Sequence, residues 1–490
     1  MKKFSKVLSI LLSVVLVVSS FYLLYQVIRL NVLPSKFLFP LTIGVVVLDA
    51  IFILLLIYFS KNVVSKIICV VLTLLVCAAS CFGGYYISKT KSALSNITNV
   101  AKHAKNTVSV IVKESSSIKN KSQLNGVSVG SLRLNEQGSK KALKELSGEG
   151  IVLNQKEYDS MTALLEAFYN GEVDSIIINE SSRSQILDME AYSNFDSNTR
   201  VVYQTSYKVK NNDSASAVSD ITSKPFNVLI SGSDTRGGFD ENGRSDVIMV
   251  ATVNPKSHTI LLTSVPRDFY VTTACDAGDG CMQGALDKIT HTGIHGTNTT
   301  KRTVEQLLGI EINYTFKVGF DTVTELVDVL GGVDVYVEPG YATTTSEFSV
   351  HEGVNHLNAQ QALAFARERY SYTEGDRQRT KNQQQVLMGI VKEATKPSVI
   401  TNYAAIMDTM ANTFSTTMSN AEITDLIKYQ LNNNPTWKME QYMVDGTGDT
   451  LMCAELGDAA SVMVPDQSTV KMAKDKINAV LAGKSSEDVK

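Results

Sequence analysis

Three apolar stretches near the N-terminus constrain the fold more than any other feature. No charged residue lies between Lys6 and Arg29, residues 37–60 repeat this pattern with Asp49 as the exception, and residues 67–88 repeat it again. A helix needs about 20 apolar residues to cross a hydrocarbon core of about 30 Å. A secretory signal peptide has one shorter apolar run and a cleavage site, unlike this series. Residues 1–89 are therefore predicted to form three transmembrane helices.

The lysines and arginines around these stretches predict the orientation. Five lysines, at positions 2, 3, 6, 61 and 66, fall on the N-terminal side of the membrane, whereas Arg29, Lys36, Lys89 and Lys91 fall on the opposite side. Because positive charge is enriched in cytoplasmic segments, the slight excess favours a cytoplasmic N-terminus. After three crossings, the chain beyond about Lys89 lies outside the cell. We therefore expect a multi-pass protein of the cell membrane with a large extracytoplasmic part.

Residues 90–213 are predicted to form a stalk and a small α/β accessory domain. Apolar runs at 127–132, 151–153 and 175–179 alternate with helical patterns at 139–146 and 160–169. Alternating strands and helices are typical of an α/β unit. The region faintly resembles one lobe of a periplasmic solute-binding protein, about half of that fold, but carries no recognisable ligand-binding group of residues.

The remaining residues, 214–490, are predicted to form the main domain and a C-terminal extension. Runs rich in β-branched residues at 226–230, 247–253 and 259–265 indicate strands. The turn signal at 254–257 predicts that the second and third pair antiparallel. If the first also pairs antiparallel with the second, polar strand ends meet at one sheet edge. These ends carry Asp234, Arg236, Arg244, Asp246, Arg267 and Asp268. The later strands and helices predict an α/β fold, a mixed β-sheet flanked by helices on both faces.

Arginines recur in the loops and at the helix ends of this domain. Four more follow in loops or at helix ends: Arg367, Arg369, Arg377 and Arg379. The guanidinium fork matches phosphate oxygens bidentately. This number of arginines suits a pyrophosphate better than a single carboxylate. Asp234 and Asp246 are oxygen ligands of the kind that Mg²⁺ prefers, and Mg²⁺ commonly keeps substrate phosphate in its coordination shell. The alternative is a set of surface salt bridges, each contributing little to stability.

Two cysteines enclose a short glycine-containing segment in the main domain. Cys275 and Cys281 are six positions apart, which permits a disulfide outside the membrane and leaves Cys453 unpaired. The alternative is a zinc site with His291 and His295, whose spacing matches poorly.

Nucleic acid is not an expected partner. The formal net charge is −3 and only 19% of residues are charged, so no strong positive field surrounds the chain. The predicted topology also leaves too few residues inside the cell for a DNA-binding domain.

Three ordered motifs resemble the signatures of one family. GSDTRGGFDENGRSDVIMVATVNP, SVPRD and ALAFARERYSYTEGDRQRTKNQQ are similar to successive motifs of LytR–CpsA–Psr proteins. The three apolar spans and the α/β unit resemble the family's capsule-associated streptococcal branch. The resemblance implies a magnesium-dependent, extracytoplasmic phosphotransferase. Such an enzyme moves a glycopolymer, here capsular polysaccharide, from undecaprenyl pyrophosphate to peptidoglycan through a phosphodiester, with capsule-assembly proteins as further partners.

The resemblance also implies roles for individual residues. It places Mg²⁺ at Asp234 and Asp246 and leaves Asp246 or Asp376 as the base. Arg267 is expected to act in both binding and catalysis. The pyrophosphate and its head group are expected to contact Arg236, Arg244, Arg267, Arg367, Arg369, Arg379 and Gln383. Helices at 320–330 and 386–391 are expected to line an apolar groove for the polyprenyl tail. Two alternatives stay open: a membrane sensor or regulator of capsule biosynthesis, and a polyprenyl-pyrophosphate-binding protein without catalysis.

Overall fold

A computed structural model gives the fold and describes residues 2–59, 62–98, 103–133, 136–233, 241–275, 281–396, 399–410 and 414–490. The apolar N-terminal stretches form helices α1 (Lys2–Leu30), α2 (Ser35–Leu54, continued by a π-helical turn Leu55–Phe59) and α3 (Val63–Thr98). All three are long and apolar enough to cross a membrane, as predicted. Asp49 of α2 accepts a hydrogen bond from Ser20 of α1 at 2.9 Å, which gives this acid a polar partner between the helices.

Helix α3 continues past the predicted span, so residues 90–98, expected in a polar stalk, are helical. Apolar side chains recur along this extension at Ala93, Leu94 and Ile97, which are buried against the main domain. The end of the last apolar helix therefore packs directly against the main domain.

A five-stranded sheet with the order β3-β2-β4-β1-β5 forms the accessory unit within the described residues. Its strands are β1 (His103–Lys113), β2 (Ser128–Leu132), β3 (Asn154–Tyr158), β4 (Ser175–Asn179) and β5 (Thr199–Lys210). Its helices are α4 (Glu136–Gly148), α5 (Met161–Asn170), α6 (Arg183–Asp188) and α7 (Phe195–Asn198). The predicted strand at 151–153 is wrong: the strand begins at Asn154. Because β3 is an exposed edge strand, its polar sequence carries no apolar signal.

The main sheet has six strands in the order β16-β11-β6-β7-β8-β17 among the described residues. They are β6 (Phe226–Ser233), β7 (Val247–Asn254), β8 (Thr259–Ser264), β11 (Tyr314–Gly319), β16 (Phe414–Thr416) and β17 (Lys438–Met443). The antiparallel pair β7–β8 confirms the prediction, and β6 also pairs antiparallel with β7, which is the condition for the polar strand ends to meet. Strands β11 and β17 pair parallel with β6 and β8, which makes the sheet mixed.

Helices cover both faces of this sheet, as the α/β prediction requires. They are α8 (Thr297–Leu308), α9 (Phe320–Leu330), α10 (Ala359–Arg367), α11 (Asp376–Ala394), α12 (Val399–Met410), α13 (Asn420–Asn433) and α14 (Gln467–Leu481). Because side chains alternate along a strand, Leu229 and Val250 pack with α8 and α14, whereas Val228 and Ala251 pack toward α11 and α13.

Short hairpins complete the domain. They pair β9 (Tyr270–Thr272) with β10 (Leu286–Lys288), β12 (Val333–Val337) with β15 (Gly353–Leu357), β13 (Thr343–Thr344) with β14 (Ser349–Val350), and β18 (Gly446–Cys453) with β19 (Asp458–Pro465). The helix predicted to reach Tyr370 ends at Arg367, because Glu368 already has extended backbone angles.

The hairpin β18–β19 joins the main domain to the accessory unit. Cys453, Leu456 and Val462 of the hairpin belong to one buried cluster with Leu164 and Phe168 of α5. The backbone N–H of Met161 donates to the carbonyl of Leu456 at 2.9 Å. Since this contact is apolar and buried, we expect the two parts to unfold together.

Replacing Leu456 by Ala tests this coupling. Removing a buried leucine side chain costs about 2–5 kcal/mol, so the single thermal unfolding midpoint of the detergent-solubilised chain should fall by about 2–6 °C. Met452→Ala on the same hairpin is the matched control, because Met452 is 58% exposed. Two separate transitions in the wild-type protein, or equal midpoints for both variants, would contradict the coupling.

Candidate phosphate-binding site

The carboxylate of Asp246 lies at the predicted sheet edge, next to the first residue of β7. The backbone N–H of Asp246 donates to the carbonyl of Gly232 near the end of β6 at 2.8 Å. Its Oδ1 accepts a hydrogen bond from Arg267 Nη1 at 2.8 Å and lies 3.9 Å from Arg244 Nη2. Asp268 is 3.7 Å from Arg267 Nε and 3.2 Å from Lys288 Nζ. The antiparallel pairing of β6, β7 and β8 thus brings these strand ends together.

Helix α11 adds the second side of the site. Gly375 precedes it with φ of +54°, a conformation that glycine adopts most readily, and the helix begins at Asp376. Asp376 pairs with Arg379 one turn later. Seven polar residues line one narrow cleft between α11 and the sheet edge: Asp246, Ser264, Arg267, Asp376, Arg379, Thr380 and Gln383. Arg379 and Gln383 are therefore beside Arg267, although they are more than a hundred positions away in the sequence.

The charges of the cleft shift the pKa values of its arginines in opposite directions. Burial alone would lower the pKa of Arg267, but attraction to Asp246 and Asp268 raises it above its ordinary value. Burial lowers the pKa of Arg379; the attraction of Asp376 opposes this, and the positive charges of Arg267 and Arg369 add to it. Both side chains stay protonated at any ordinary pH. The repulsion at Arg379 would be relieved by a bound anion.

Three buried guanidinium nitrogens have no hydrogen-bond partner among the described residues. They are the Nε atoms of Arg244, Arg267 and Arg379. An unsatisfied buried donor costs about 1–3 kcal/mol, and such groups are rare unless a ligand or ion uses them. Charged N–H groups of arginine form strong hydrogen bonds with phosphate oxygens. Arg267 and Arg379 line the arginine cleft and give it the donors and the charge of a phosphate-binding site, whereas Arg244 lines a neighbouring space.

The other predicted arginines lie farther out. Arg369 donates to the hydroxyl of Tyr370 at 2.6 Å, and Arg367 is exposed at the end of α10. Arg377 turns away and pairs with Asp445. Asp234 and Arg236, predicted to bind metal and phosphate, lie outside the described residues.

An apolar groove continues from the arginine cleft. Its walls are Ile230 and Met249 of the sheet together with residues of the two helices predicted to line it, α9 and α11, and of α10. These are Val323, Leu363, Ala366, Val386, Leu387 and Ile390. Gln383 lines both the groove and the cleft. A ligand with a charged head and an apolar tail would fit across both.

Several neighbours of the site carried no sequence signal. Thr290 Oγ1 lies 3.5 Å from Asp246 Oδ1, and Lys288 contacts Asp268. His291, considered for zinc, pairs instead with Asp287 at 2.7 Å, and His295 pairs with Glu455 at 2.8 Å. Glu455 could not be identified from the sequence as a partner because it is 160 positions away from His295. The described residues contain no group of three or more potential metal ligands.

The two cysteines considered for a disulfide are bonded in the structure. Cys275 and Cys281 have a Cα–Cα distance of 6.3 Å, and Cys453 is buried and free. Burial and the negative charge of Asp287 raise the pKa of the Cys453 thiol to about 12, so it stays protonated.

A mixed sheet with an arginine-lined edge and an adjoining apolar groove has the charge and the shape that suit an amphiphilic phosphate. The model of the LytR_cpsA_psr family matches residues 191–479, and the chain belongs to this family. The polyisoprenyl-teichoic acid–peptidoglycan teichoic acid transferase TagU of Bacillus cereus (strain AH820) is 32% identical over 241 residues, 49% of this chain and 76% of the relative.

Solved structures similar to this chain include protein gbs0355 from Streptococcus agalactiae. It is 25% identical with a TM-score of 0.46, and the match covers 54% of this chain and 89% of that one. TagU of Bacillus subtilis is 28% identical with a TM-score of 0.41, and the match covers 53% of this chain and 97% of that one.

Inorganic pyrophosphate should stabilise the protein through the arginine cleft. A ligand at 100 times its Kd adds about 2.7 kcal/mol to the free energy of unfolding, so the thermal midpoint should rise in a dose-dependent way. Arg379→Ala should abolish the rise, because it removes an unpaired donor and a positive charge. Arg377→Ala should keep it, since Arg377 pairs with Asp445. A rise that is unchanged in Arg379→Ala would contradict this site.

Proposed function

We propose that this protein is a membrane-anchored transferase that moves a glycopolymer from undecaprenyl pyrophosphate to peptidoglycan and forms a phosphodiester. Relatives at about one-third identity are named as transferases that join teichoic acid to peptidoglycan. Capsular polysaccharide is the glycopolymer we propose here, because the three apolar helices and the accessory unit resemble the capsule-associated branch. Capsule-assembly proteins are then its expected partners in the membrane.

The observation that carries this proposal is the continuity of the arginine cleft with the apolar groove. A polyprenyl pyrophosphate needs both, because its head is multiply charged and its tail is hydrocarbon. Burying apolar surface contributes about 25 cal/mol per Å², so the groove would hold the tail while Arg267 and Arg379 hold the phosphates. Gln383, which lines both, is placed to contact the head group.

The reaction that this arrangement suits is displacement at phosphorus. The oxygen of an acceptor hydroxyl forms a bond to the phosphorus that carries the glycan. The bond from that phosphorus to the bridging oxygen breaks, and polyprenyl phosphate leaves with the electron pair. The hydroxyl proton passes to Asp246 or Asp376, the two acids of the cleft. Arg267 and Arg379 stabilise the charge on the phosphoryl oxygens, since their positions are fixed before the reaction.

Magnesium fits the same edge. Asp246 Oδ1 faces the arginines, whereas its Oδ2 has no partner among the described residues and is available to a cation. Mg²⁺ is commonly held by one or two carboxylates together with substrate phosphate and water. Asp234, the second acid we propose, lies outside the described residues. A bound Mg²⁺ would neutralise charge on the pyrophosphate.

Contacts at the membrane end support an extracytoplasmic active domain with a cytoplasmic N-terminus. Lys36 Nζ donates to the carbonyl of Asn432 at 2.8 Å, and Lys428 Nζ donates to Asn31 Oδ1 at 2.9 Å. The connection between α1 and α2 therefore lies on the same side as the main domain, with the start of α1 one crossing away. Peptidoglycan is outside the membrane, and we propose that this shared side is the outer one, where the acceptor is found.

Packing at the end of α3 supports a donor that enters from the bilayer. Leu94 and Ile97 belong to one cluster with Leu326 and Leu330 of α9. Val323 of the same helix lines the apolar groove. The groove is thus one helix away from the end of the last apolar helix, a short path for a lipid tail.

Transfer can be measured directly with the purified full chain in nanodiscs, given polyprenyl-pyrophosphate-linked glycan, peptidoglycan and Mg²⁺. We expect one polyprenyl phosphate released for each glycan joined. Arg267→Ala should lower kcat by about 100-fold or more, the usual effect of removing a fixed charge-stabilising donor. Arg267→Lys should recover little, because lysine lacks the bidentate fork. Chelation of Mg²⁺ should stop transfer, and its return should restore it.

Arg377→Ala is the control and should leave kcat within about twofold of wild type. Donor binding without any transfer by the wild-type protein would contradict the enzyme and support the binding protein. Location of the main domain in the cytoplasm would support the regulator instead.

A further inference from the structure

A second cleft opens between the accessory unit and the main domain and reaches the candidate site. Its accessory wall comes from β1, β5 and the segment from Glu180 to Asp188, and its other wall is the segment from Glu241 to Asp246. The space is about 580 Å³, and pockets of about 300–1,000 Å³ commonly hold small molecules. Asp246 lines both this cleft and the arginine cleft. The two spaces therefore meet at its carboxylate.

Ion pairs hold the two walls together. Lys105 Nζ of β1 lies 3.1 Å from Glu241 Oε1, and Arg244 pairs with Asp188 of α6. The carbonyl of Glu241 also accepts a hydrogen bond from Lys317 at 2.7 Å. Together with the buried hairpin contact, these pairs fix the cleft at a defined width. Both walls are parts of one chain, so the cleft does not depend on a partner.

The lining is polar and nearly balanced in charge. Three cations, Lys105, Arg183 and Arg244, face four acids, Glu180, Asp188, Glu241 and Asp246. One residue of the lining, Leu187, is apolar. Hydroxyl and amide side chains make up most of the remainder: Thr107, Ser181, Ser184, Gln204 and Asn242.

This chemistry excludes two kinds of ligand and favours a third. The cations are already paired: Arg183 with Glu180 and Asp196, Arg244 with Asp188, and Lys105 with Glu241. A second polyanion would therefore gain little, and a lipid would find no apolar wall. A saccharide presents hydroxyl and acetamido groups that both donate and accept hydrogen bonds. Ser181 Oγ and Arg244 Nε are buried in this lining without a partner among the described residues, so they are available to such groups.

We propose that this cleft binds the glycan strand of the peptidoglycan acceptor and holds one of its hydroxyl groups beside Asp246. This inference rests on the proposed function and adds a role for the accessory unit, which forms one wall of the acceptor site. The donor and the acceptor then occupy different spaces. The lipid and pyrophosphate lie along the groove and the arginine cleft, and the saccharide enters between the two domains.

Ser184→Trp tests the proposal by filling the cleft from α6. The probe is a β-1,4-linked tetrasaccharide of alternating N-acetylglucosamine and N-acetylmuramic acid, with lipid-linked glycan as donor. We expect the KM for the tetrasaccharide to rise by about tenfold or more, equivalent to about 1.4 kcal/mol of lost binding. The KM for the donor and the stabilisation by pyrophosphate should stay at wild-type values, which also shows that the variant is folded.

Two further variants make the result specific. Gln204→Ala removes one polar group of the lining and should raise the same KM by a smaller factor. Ser147→Trp places the same bulky side chain on α4, where Ser147 is exposed and outside the cleft, and should change neither KM. An acceptor KM in Ser184→Trp equal to that of Ser147→Trp would overturn the acceptor site.

Direct calorimetric binding of the tetrasaccharide to the full chain, without donor, separates this inference from the proposed function. Binding by wild type and its loss in Ser184→Trp would support the cleft even if no transfer occurred, a result that would contradict the transferase alone. Equal affinity of wild type and Ser184→Trp, in a protein that does transfer, would overturn the cleft and leave the transferase in place.

Discussion

The site depends on one buried ion pair, between Asp246 and Arg267, at the edge of the main sheet. The 2.8 Å hydrogen bond joins the start of β7 to the loop after β8. Only 14% and 16% of the two side chains are exposed, so removing either partner would leave a charge poorly solvated, at a cost of about 3–5 kcal/mol. The pair keeps Arg267 charged and leaves its Nε and Asp246 Oδ2 available. The other polar residues of the arginine cleft line the same space as this ion pair.

Three spaces of different chemistry adjoin one another here: the arginine cleft and the interdomain cleft share Asp246, and the groove joins the arginine cleft at Gln383. The arginine cleft suits a pyrophosphate, the groove under α9 and α11 suits a hydrocarbon tail, and the interdomain cleft suits a saccharide. A transferase has to bring an amphiphilic donor and a hydrophilic acceptor to one phosphorus atom while keeping them apart elsewhere. Separate entrances let the donor and the acceptor reach the same phosphorus atom without a large conformational change. The buried packing of α3 and of the hairpin β18–β19 holds the three spaces in fixed positions relative to one another.

The sequence predicted the part of the fold where local pattern and tertiary contact agree. β-Branched runs and the turn after Asn254 gave the antiparallel order of β6, β7 and β8, and with it the meeting of Arg244, Asp246 and Arg267. Amphipathic spacing predicted α9 and α11, and the family resemblance implied an apolar groove that they line. Strand β3 was misplaced because an exposed edge strand needs no apolar residues. The interdomain cleft could not be predicted, since it depends on pairs such as Asp188 with Arg244, whose sequence neighbourhoods are unremarkable when taken singly.

The most direct measurement is the structure of the full chain with a polyprenyl pyrophosphate whose bridging oxygen is replaced by a methylene group. This analogue binds but cannot be cleaved at the bridge. The account predicts phosphate oxygens within hydrogen-bond distance of the Nε atoms of Arg267 and Arg379 and the hydrocarbon chain between Val323 and Leu387. A head group bound away from Asp246, or a tail outside the groove, would contradict it.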